Sequence, residues 1–283
     1  MYHKMTRWEK IRIIISRGWS LSGKYRLARY MSKQNKKNAL SFEGISWMQN
    51  ENILLHIDTK SYVEWSVFSM AEYETELARL IQSQVKEGNI CLDIGANIGI
   101  QSLRMAQKTT QRGKVIAFEP VTHLRERLEK NITLNRATQI EVLPYALSDF
   151  SGTSTMNINK EDENQGTASL SENGNTEIQV RKGDDLLEER KIERLDFIKI
   201  DVEGFEYQVL IGLKESIKRF RPSIVFEYDG HYAKERGGKS YLDFYQFFEE
   251  LNYTLFGVNE IGGEKLNKDS QNIEANVLAI PNK

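Results

Sequence analysis

With 283 residues, 40% of them hydrophobic, a formal net charge of −1 and one cysteine, Cys91, the chain can bury one sizeable core and a small extra segment. The charge balance gives no overall electrostatic pull toward nucleic acid, and a lone cysteine excludes an internal disulfide, as suits a reducing cytoplasm. No stretch is long enough to span a membrane, and the apolar Ile13–Ile15, flanked by Arg12 and Arg17, is too short for a signal-peptide core; a protein neither secreted nor integral is expected.

In chain order, residues 1–37 hold eleven Lys and Arg, from Lys4 to Lys37, against Glu9 alone, a net of about +10. Trp8, Ile11, Ile15 and Trp19 recur at spacings of three and four, so a helix here carries an apolar face beside a basic one. Residues 1–38 are read as a basic helical arm, either packed on the main domain or making a homodimer contact, with peripheral contact to a membrane as the alternative. Nucleic acid is disfavoured as its partner, because the chain shows no recognisable RNA or DNA module. Residues 39–70 form a β-hairpin region, since Ile45–Met48 and Ile53–Ile57 alternate around a turn at Gln49–Asn52. The main domain is placed at 71–283 and opens with a helix over Glu72–Val85, marked by Leu77, Leu80, Ile81 and Val85.

The apolar run Asn89–Ile94 contains an acid, Asp93, and opens into a glycine-spaced turn: Gly95, Ala96, Asn97, Ile98, Gly99. Helical spacing resumes at Ile100, Leu103 and Ala106, so the turn sits between a strand and a helix, where missing Cβ atoms let backbone turn sharply or lie against a ligand. A dinucleotide fingerprint would read G-x-G-x-x-G and a triphosphate loop G-x-x-x-x-G-K-[ST]; neither is present. With no lysine for phosphates and Asn97 suited to hydrogen-bonding an amino-acid moiety, the turn fits S-adenosylmethionine, a nucleoside carrying methionine and no phosphate. The next strand, Val115–Phe118, ends in Glu119, whose carboxylate can accept from both ribose hydroxyls in the crevice beyond the strand ends.

Strands and helices then alternate: a helix on Leu124, Leu128 and Ile132, a strand Ile140–Leu143, a strand Phe197–Ile200, one helix on Val209, Leu210, Leu213 and Ile217, and a strand Ile224–Phe226. This alternation implies parallel strands with right-handed crossovers. Residues 152–180 interrupt it with a polar insertion read as a pair of strands with flexible turns.

The block Leu195-Asp196-Phe197-Ile198-Lys199-Ile200-Asp201-Val202-Glu203-Gly204-Phe205-Glu206, together with the glycine turn, resembles the FkbM-type family of S-adenosylmethionine-dependent methyltransferases. Further matching pieces follow in the family's order: Glu72-Tyr73-Glu74, Ala146-Leu147-Ser148-Asp149, Arg221–Glu227 and Ala275–Pro281. The resemblance covers about residues 55–281. It implies a class I methyltransferase fold: a mostly parallel seven-stranded α/β sheet, helices on both faces, and a closing antiparallel pair at Tyr253–Val258 and Asn276–Ile280. It also implies methylation of an oxygen on acceptors that vary from sugars and glycans to other hydroxylated metabolites. Around the cofactor it sets Glu74, Ala96, Pro120, Ala146, Leu147 and Asp201 beside Asp93, Gly95, Asn97, Gly99 and Glu119. The segment Gly166–Leu170 falls where the family places a loop near the acceptor.

The catalytic candidates are Asp201, Glu203 and Glu227, carboxylates at the ends of the fourth and fifth core strands, and His231 shortly after. The carboxylates can orient the sulfonium and acceptor, serve as general base, or offer oxygen ligands to Mg²⁺. A metal-independent reaction is favoured, since the residues form no recognised metal motif. His231, whose imidazole is matched to neutral pH, competes with Asp201 for the role of base. The plainer alternatives are that Glu203 caps the following helix and that Glu227 pairs with Lys199 or an arginine.

Overall fold

The computed structural model describes residues 43–48, 51–59, 61–158, 174–258, 263–270, 273 and 275–282. The basic arm and Gly166–Leu170 lie outside the described residues. The chain divides into two compact units, the first reaching Thr75 and the second built on the residues from Glu76 on, apart from the middle of the insertion.

In the first unit, β1 (Glu43–Met48) pairs antiparallel with β2 (Ile53–Asp58), in register from Glu43↔Asp58 to Met48↔Ile53. Met48, Ile53, Leu55 and Ile57 are buried on one face, as the alternation requires. A helix, α1 (Tyr62–Met70), follows and ends on Ala71 at φ +57°, whose N–H donates to the Val67 carbonyl. The sequence reading did not mark α1 because Glu64–Met70 is buried nearly all round and carries no polar stripe to reveal its period.

The second unit opens with α2 (Thr75–Gln84), three residues later than expected, and burying Leu77, Ala78 and Ile81. Its seven-stranded sheet has the order β11-β12-β10-β9-β3-β4-β5. Here β3 is Ile90–Ile94, β4 Lys114–Phe118, β5 Ile140–Leu143, β9 Phe197–Ile200, β10 Ser223–Tyr228, β11 Tyr253–Gly257 and β12 Ala275–Pro281. The five strands from β5 to β10 run parallel; β12 is antiparallel to both β10 and β11. The parallel strands read as continuous apolar runs because helices cover both faces of such a sheet, and Leu92, Ile116, Ile198 and Phe226 are fully buried. Of these helices, α3 (Ile100–Thr109) and α4 (Thr122–Asn135) follow β3 and β4. On the far side α9 (Tyr241–Glu250) stacks Phe244 and Phe248 on Phe226, with ring centroids 5.3 and 5.5 Å apart.

Beside this sheet stands a second one of three strands, in the order β6-β8-β7. The ends of the polar insertion pair antiparallel as expected, as β7 (Gly152–Met156) and β8 (Thr176–Lys182). Unexpectedly, Tyr145–Ser148 is also a strand, β6, running parallel to β8. The single helix expected over Val209–Ile217 is two, α6 (Glu206–Gly212) and α7 (Lys214–Phe220), joined at Leu213. Two short helices escaped the sequence reading: α5 (Gly183–Glu189) and α8 (Gly230–Glu235). Among the described residues no helix is long and apolar enough to cross a membrane.

Candidate active site

β3 lies where the strand order reverses, with β4 on one side and β9 on the other. Chains leaving the carboxyl ends of such neighbours diverge and open a crevice. The glycine turn lines it and is fastened by hydrogen bonds to neighbouring strands and helices. The N–H groups of Gly95 and Ala96 donate to the Phe118 carbonyl at 3.1 and 3.0 Å. Asn97, at φ +50°, donates its N–H to Glu119 Oε2 at 2.8 Å, while Asn131 Nδ2 holds the Ile98 carbonyl at 2.9 Å. Gly95 has φ +78°, and a Cβ there would stand 1.9 Å from the Asp201 carbonyl oxygen, so this turn lies backbone against backbone on the end of β9. A Cβ on Gly99 would meet Leu128 at 2.2 Å, closing the space between α3 and α4.

Glu119 is 4% exposed, and burial pushes its carboxyl up to about 7 against the lowering effect of two N–H donors, those of Val121 and Asn97. Each oxygen spends a lone pair on one of them and keeps another. Pro120 is half-buried beside it, its carbonyl and that of Glu119 both accepting from Arg125 Nη1 at 3.1 Å.

Two expected cofactor residues sit differently from the reading. Asp93 does not line the crevice: it is fully enclosed, accepts from Ser102 Oγ at 2.5 Å, and faces Lys199 Nζ at 3.6 Å. Burial raises its carboxyl, with Lys199 and Ser102 opposing, and it acts from behind the turn. Leu147 puts its side chain into the apolar core with Leu143, Leu186 and Leu210, leaving half-buried Ala146 as its neighbour in β6. Glu74, at φ +44°, belongs to the first unit.

Asp201, Glu203 and Glu227 do come together: one carboxylate oxygen from each lies within 4.8 Å of the others, the one such group found among the described residues. Lys199 Nζ stands 3.2 Å from Asp201 Oδ2, and Arg236 Nη1 3.7 Å from Glu203 Oε2 while donating to the Glu203 carbonyl at 2.8 Å. Glu203 sits at φ +56° and Gly204 at φ +100°, a tight turn held by Glu206, which folds back so that Oε1 accepts from Val202 N–H at 3.0 Å and Gly204 N–H at 3.1 Å. The turn is therefore braced by Glu206, and the following helix has Phe205 at its N-cap with no side-chain cap, where the plainer reading had Glu203 capping it. Lys199 likewise serves Asp93 and Asp201, where that reading had Glu227 as its partner.

This crowding shows in the acidities. The Asp201 carboxylate, then burial, then a hydrogen bond between the two side chains push Glu227 up to about 9, so it keeps its proton and shares it with Asp201. Burial, with Asp201 second, raises Glu203 to about 7, and burial raises Glu206 to about 7. His231 stands apart. Its side chain is 68% exposed in the first turn of α8, with Nε2 at 3.2 Å from Glu235, one turn along the same helix. The backbone explains the placement: Asp229 caps α8 by accepting from the His231 and Tyr232 N–H groups, which turns the imidazole onto the outer face.

Sequence reasoning named Lys199 only as a partner for Glu227 and passed over Ser102, Glu206 and Arg236. A signal for Lys199 was present, since a lysine inside the apolar strand Phe197–Ile200 must be buried and therefore paired. Glu206 and Ser102 looked like ordinary first-turn helix residues.

The pattern matched over residues 93–255 is that of the Methyltransferase FkbM domain, more than half of the chain. The chain belongs to this family. Its curated relatives include the hexuronic acid methyltransferase AglP of Haloferax volcanii, 31% identical over 51% of this chain and 58% of that one. The methyltransferase sdnD of Sordaria araneosa is 29% identical over 48% of this chain and 64% of its own. The chain thus spans less than two thirds of the length of the curated relatives it matches. Among solved structures, an FkbM methyltransferase from Methylobacillus flagellatus aligns with a TM-score of 0.43 at 15% identity, over 76% of this chain and 52% of that one.

Proposed function

We propose that the protein is an S-adenosylmethionine-dependent O-methyltransferase whose acceptor is a hydroxyl of a sugar, a glycan or another hydroxylated metabolite. The observation that carries the reading is that the braced glycine turn, Glu119 and the three carboxylates all stand at the carboxyl ends of the neighbouring strands β3, β4, β9 and β10. The donor set fits the cofactor: Glu119 keeps one free lone pair on each oxygen for the adjacent hydroxyls of a ribose, and no lysine stands in the turn to grip a phosphate. The cofactor supplies a methyl group already activated on a sulfonium. The residues need only place a hydroxyl in line, exclude water and accept its proton.

The carboxylates attract the positive sulfonium and take that proton. Glu203, raised to about 7 and grouped with Asp201 and Glu227, is matched to neutral pH as a general base and is proposed ahead of the exposed His231. Glu203→Gln should lower turnover about 10²- to 10⁴-fold, with cofactor affinity little changed, while His231→Ala should stay within a few-fold of wild type. The reverse pattern would restore the histidine.

The grouping of Asp201, Glu203 and Glu227 favours a second reading, oxygen ligation of Mg²⁺. It ranks lower because Lys199 and Arg236 already face two of the three carboxylates as counter-charges. A chelator that abolishes transfer, with Mg²⁺ restoring it, would promote it.

The sugar acceptor draws support from the name of the AglP relative; a protein or RNA acceptor and a non-catalytic cofactor-binding scaffold are the competing readings. Labelled cofactor should pass its methyl to polysaccharide or lipid-linked glycan fractions and not to RNA or protein pools. Calorimetry that found NAD binding and no S-adenosylmethionine binding would overturn the whole reading. Peripheral membrane contact or a homodimer through residues 1–38 is a separate proposal, tested by vesicle sedimentation and by mass in solution.

A further inference from the structure

Lys199 is 3% exposed in a strand whose other members, Phe197, Ile198 and Ile200, are wholly buried. In the parallel register it lies opposite Asp93 on β3 and opposite Val225 on β10, at the centre of the sheet. A plain account makes it the counter-charge of buried Asp93. The distances point elsewhere. Its ammonium is 3.1 Å from the Gly95 carbonyl and 3.2 Å from Asp201 Oδ2, closer than the 3.6 Å to Asp93 Oδ1, while Ser102 holds the other Asp93 oxygen, Oδ2, at 2.5 Å. An ammonium offers three donors, and two of these are directed at the two halves of the crevice.

We infer that Lys199 is a positioning residue that ties the carbonyl of the cofactor turn at Gly95 to the Asp201 carboxylate, so that turn and acidic cluster hold one geometry. The inference rests on the cofactor reading above for its functional meaning and on the contacts of the Lys199 ammonium for its mechanics. Gly95 lies so close to Asp201 that any Cβ between them would clash, so a small relaxation of this contact moves both halves.

The test compares Lys199→Met with the double variant Asp93→Asn/Lys199→Met in the whole chain. The double variant removes the uncompensated buried charge that would unfold the single one. Two readouts are taken: hydrogen exchange of the amides of residues 95–99, which needs no ligand, and calorimetric binding of S-adenosylhomocysteine. The double variant should regain the thermal midpoint lost by the single variant. It should still exchange the turn amides at least about tenfold faster than wild type and bind S-adenosylhomocysteine about 10- to 100-fold more weakly, as loss of charge-assisted hydrogen bonds predicts. Wild-type exchange and affinity in the double variant would reduce Lys199 to a counter-charge and overturn the inference. If wild type itself binds neither S-adenosylmethionine nor S-adenosylhomocysteine, the cofactor reading falls, while the exchange comparison still decides whether Lys199 fixes the turn.

Discussion

Among single residues, Glu206 shows how a buried carboxylate can be structural within a crowd of functional ones. It is 2% exposed; Oε1 accepts from the Val202 N–H at 3.0 Å, and the Gly204 N–H is shared between Oε1 and Oε2 at 3.1 Å each. Glutamine can keep its oxygen at the Oε1 place, which serves both donors, and loses the charge and the second contact to Gly204; alanine leaves both donors buried and unsatisfied. Denaturant unfolding at pH 8 should therefore find Glu206→Ala less stable by about 1–3 kcal/mol and Glu206→Gln no less stable than wild type. Equal losses in the two would mean that the charge itself holds the turn. This distinction was not legible in the sequence, where Asp201, Glu203 and Glu206 are three acids in six positions. The strand-to-turn pattern placed them at the crevice correctly. Which one faces inward depends on the left-handed backbone at Glu203 and Gly204, and nothing local to the sequence specifies that except the glycine.

Between elements, what the sequence showed well was whatever is periodic. The parallel strands announced themselves as apolar runs, and the reversal of strand order placed the glycine turn, Glu119 and the β9 acids at one crevice. Contacts made by backbone were hidden. β6 is one: Tyr145–Ser148 is too short to alternate visibly, and its partner β8 lies beyond the insertion. The division of α6 from α7 is another, since Gly212 brings helix backbone onto β6, where a Cβ would stand 1.9 Å from the Ser148 carbonyl oxygen. Gly212→Ala should accordingly push α6 off the side sheet and cost about 1–3 kcal/mol, read by chemical denaturation. Gly113 serves as a comparison with a known clash of its own, at 2.3 Å from the Asn89 carbonyl at the opposite end of the strands. Only the Gly212 variant should also alter β6 exchange. A Gly212→Ala protein with wild-type stability would mean that α6 and β6 separate without cost.

For the whole molecule, the buried carboxyls set the pH dependence of stability. Glu119, Glu203 and Glu206 are raised to about 7 and Glu227 higher, each from an ordinary value of 4.5, so the folded chain holds more protons than the unfolded chain between those limits. Stability from these groups is fully present below the unfolded value and is lost as pH rises through the folded one. Asp243, lowered first by its backbone hydrogen bond to Ser240, acts in the opposite sense at lower pH, but it is a single cap group. The thermal midpoint should thus fall between about pH 5.5 and 8. A cationic ligand in the crevice relieves the same repulsion that a proton relieves. S-adenosylmethionine, with its sulfonium, should therefore raise the midpoint more than neutral-sulfur S-adenosylhomocysteine at pH 8, and the gap should narrow toward pH 5.5. Scanning calorimetry of the free and liganded protein across that range checks both statements. A midpoint that climbs with pH, or two ligands that stabilise equally at pH 8, would show that the acidic cluster carries its charges without strain and does not distinguish the sulfonium.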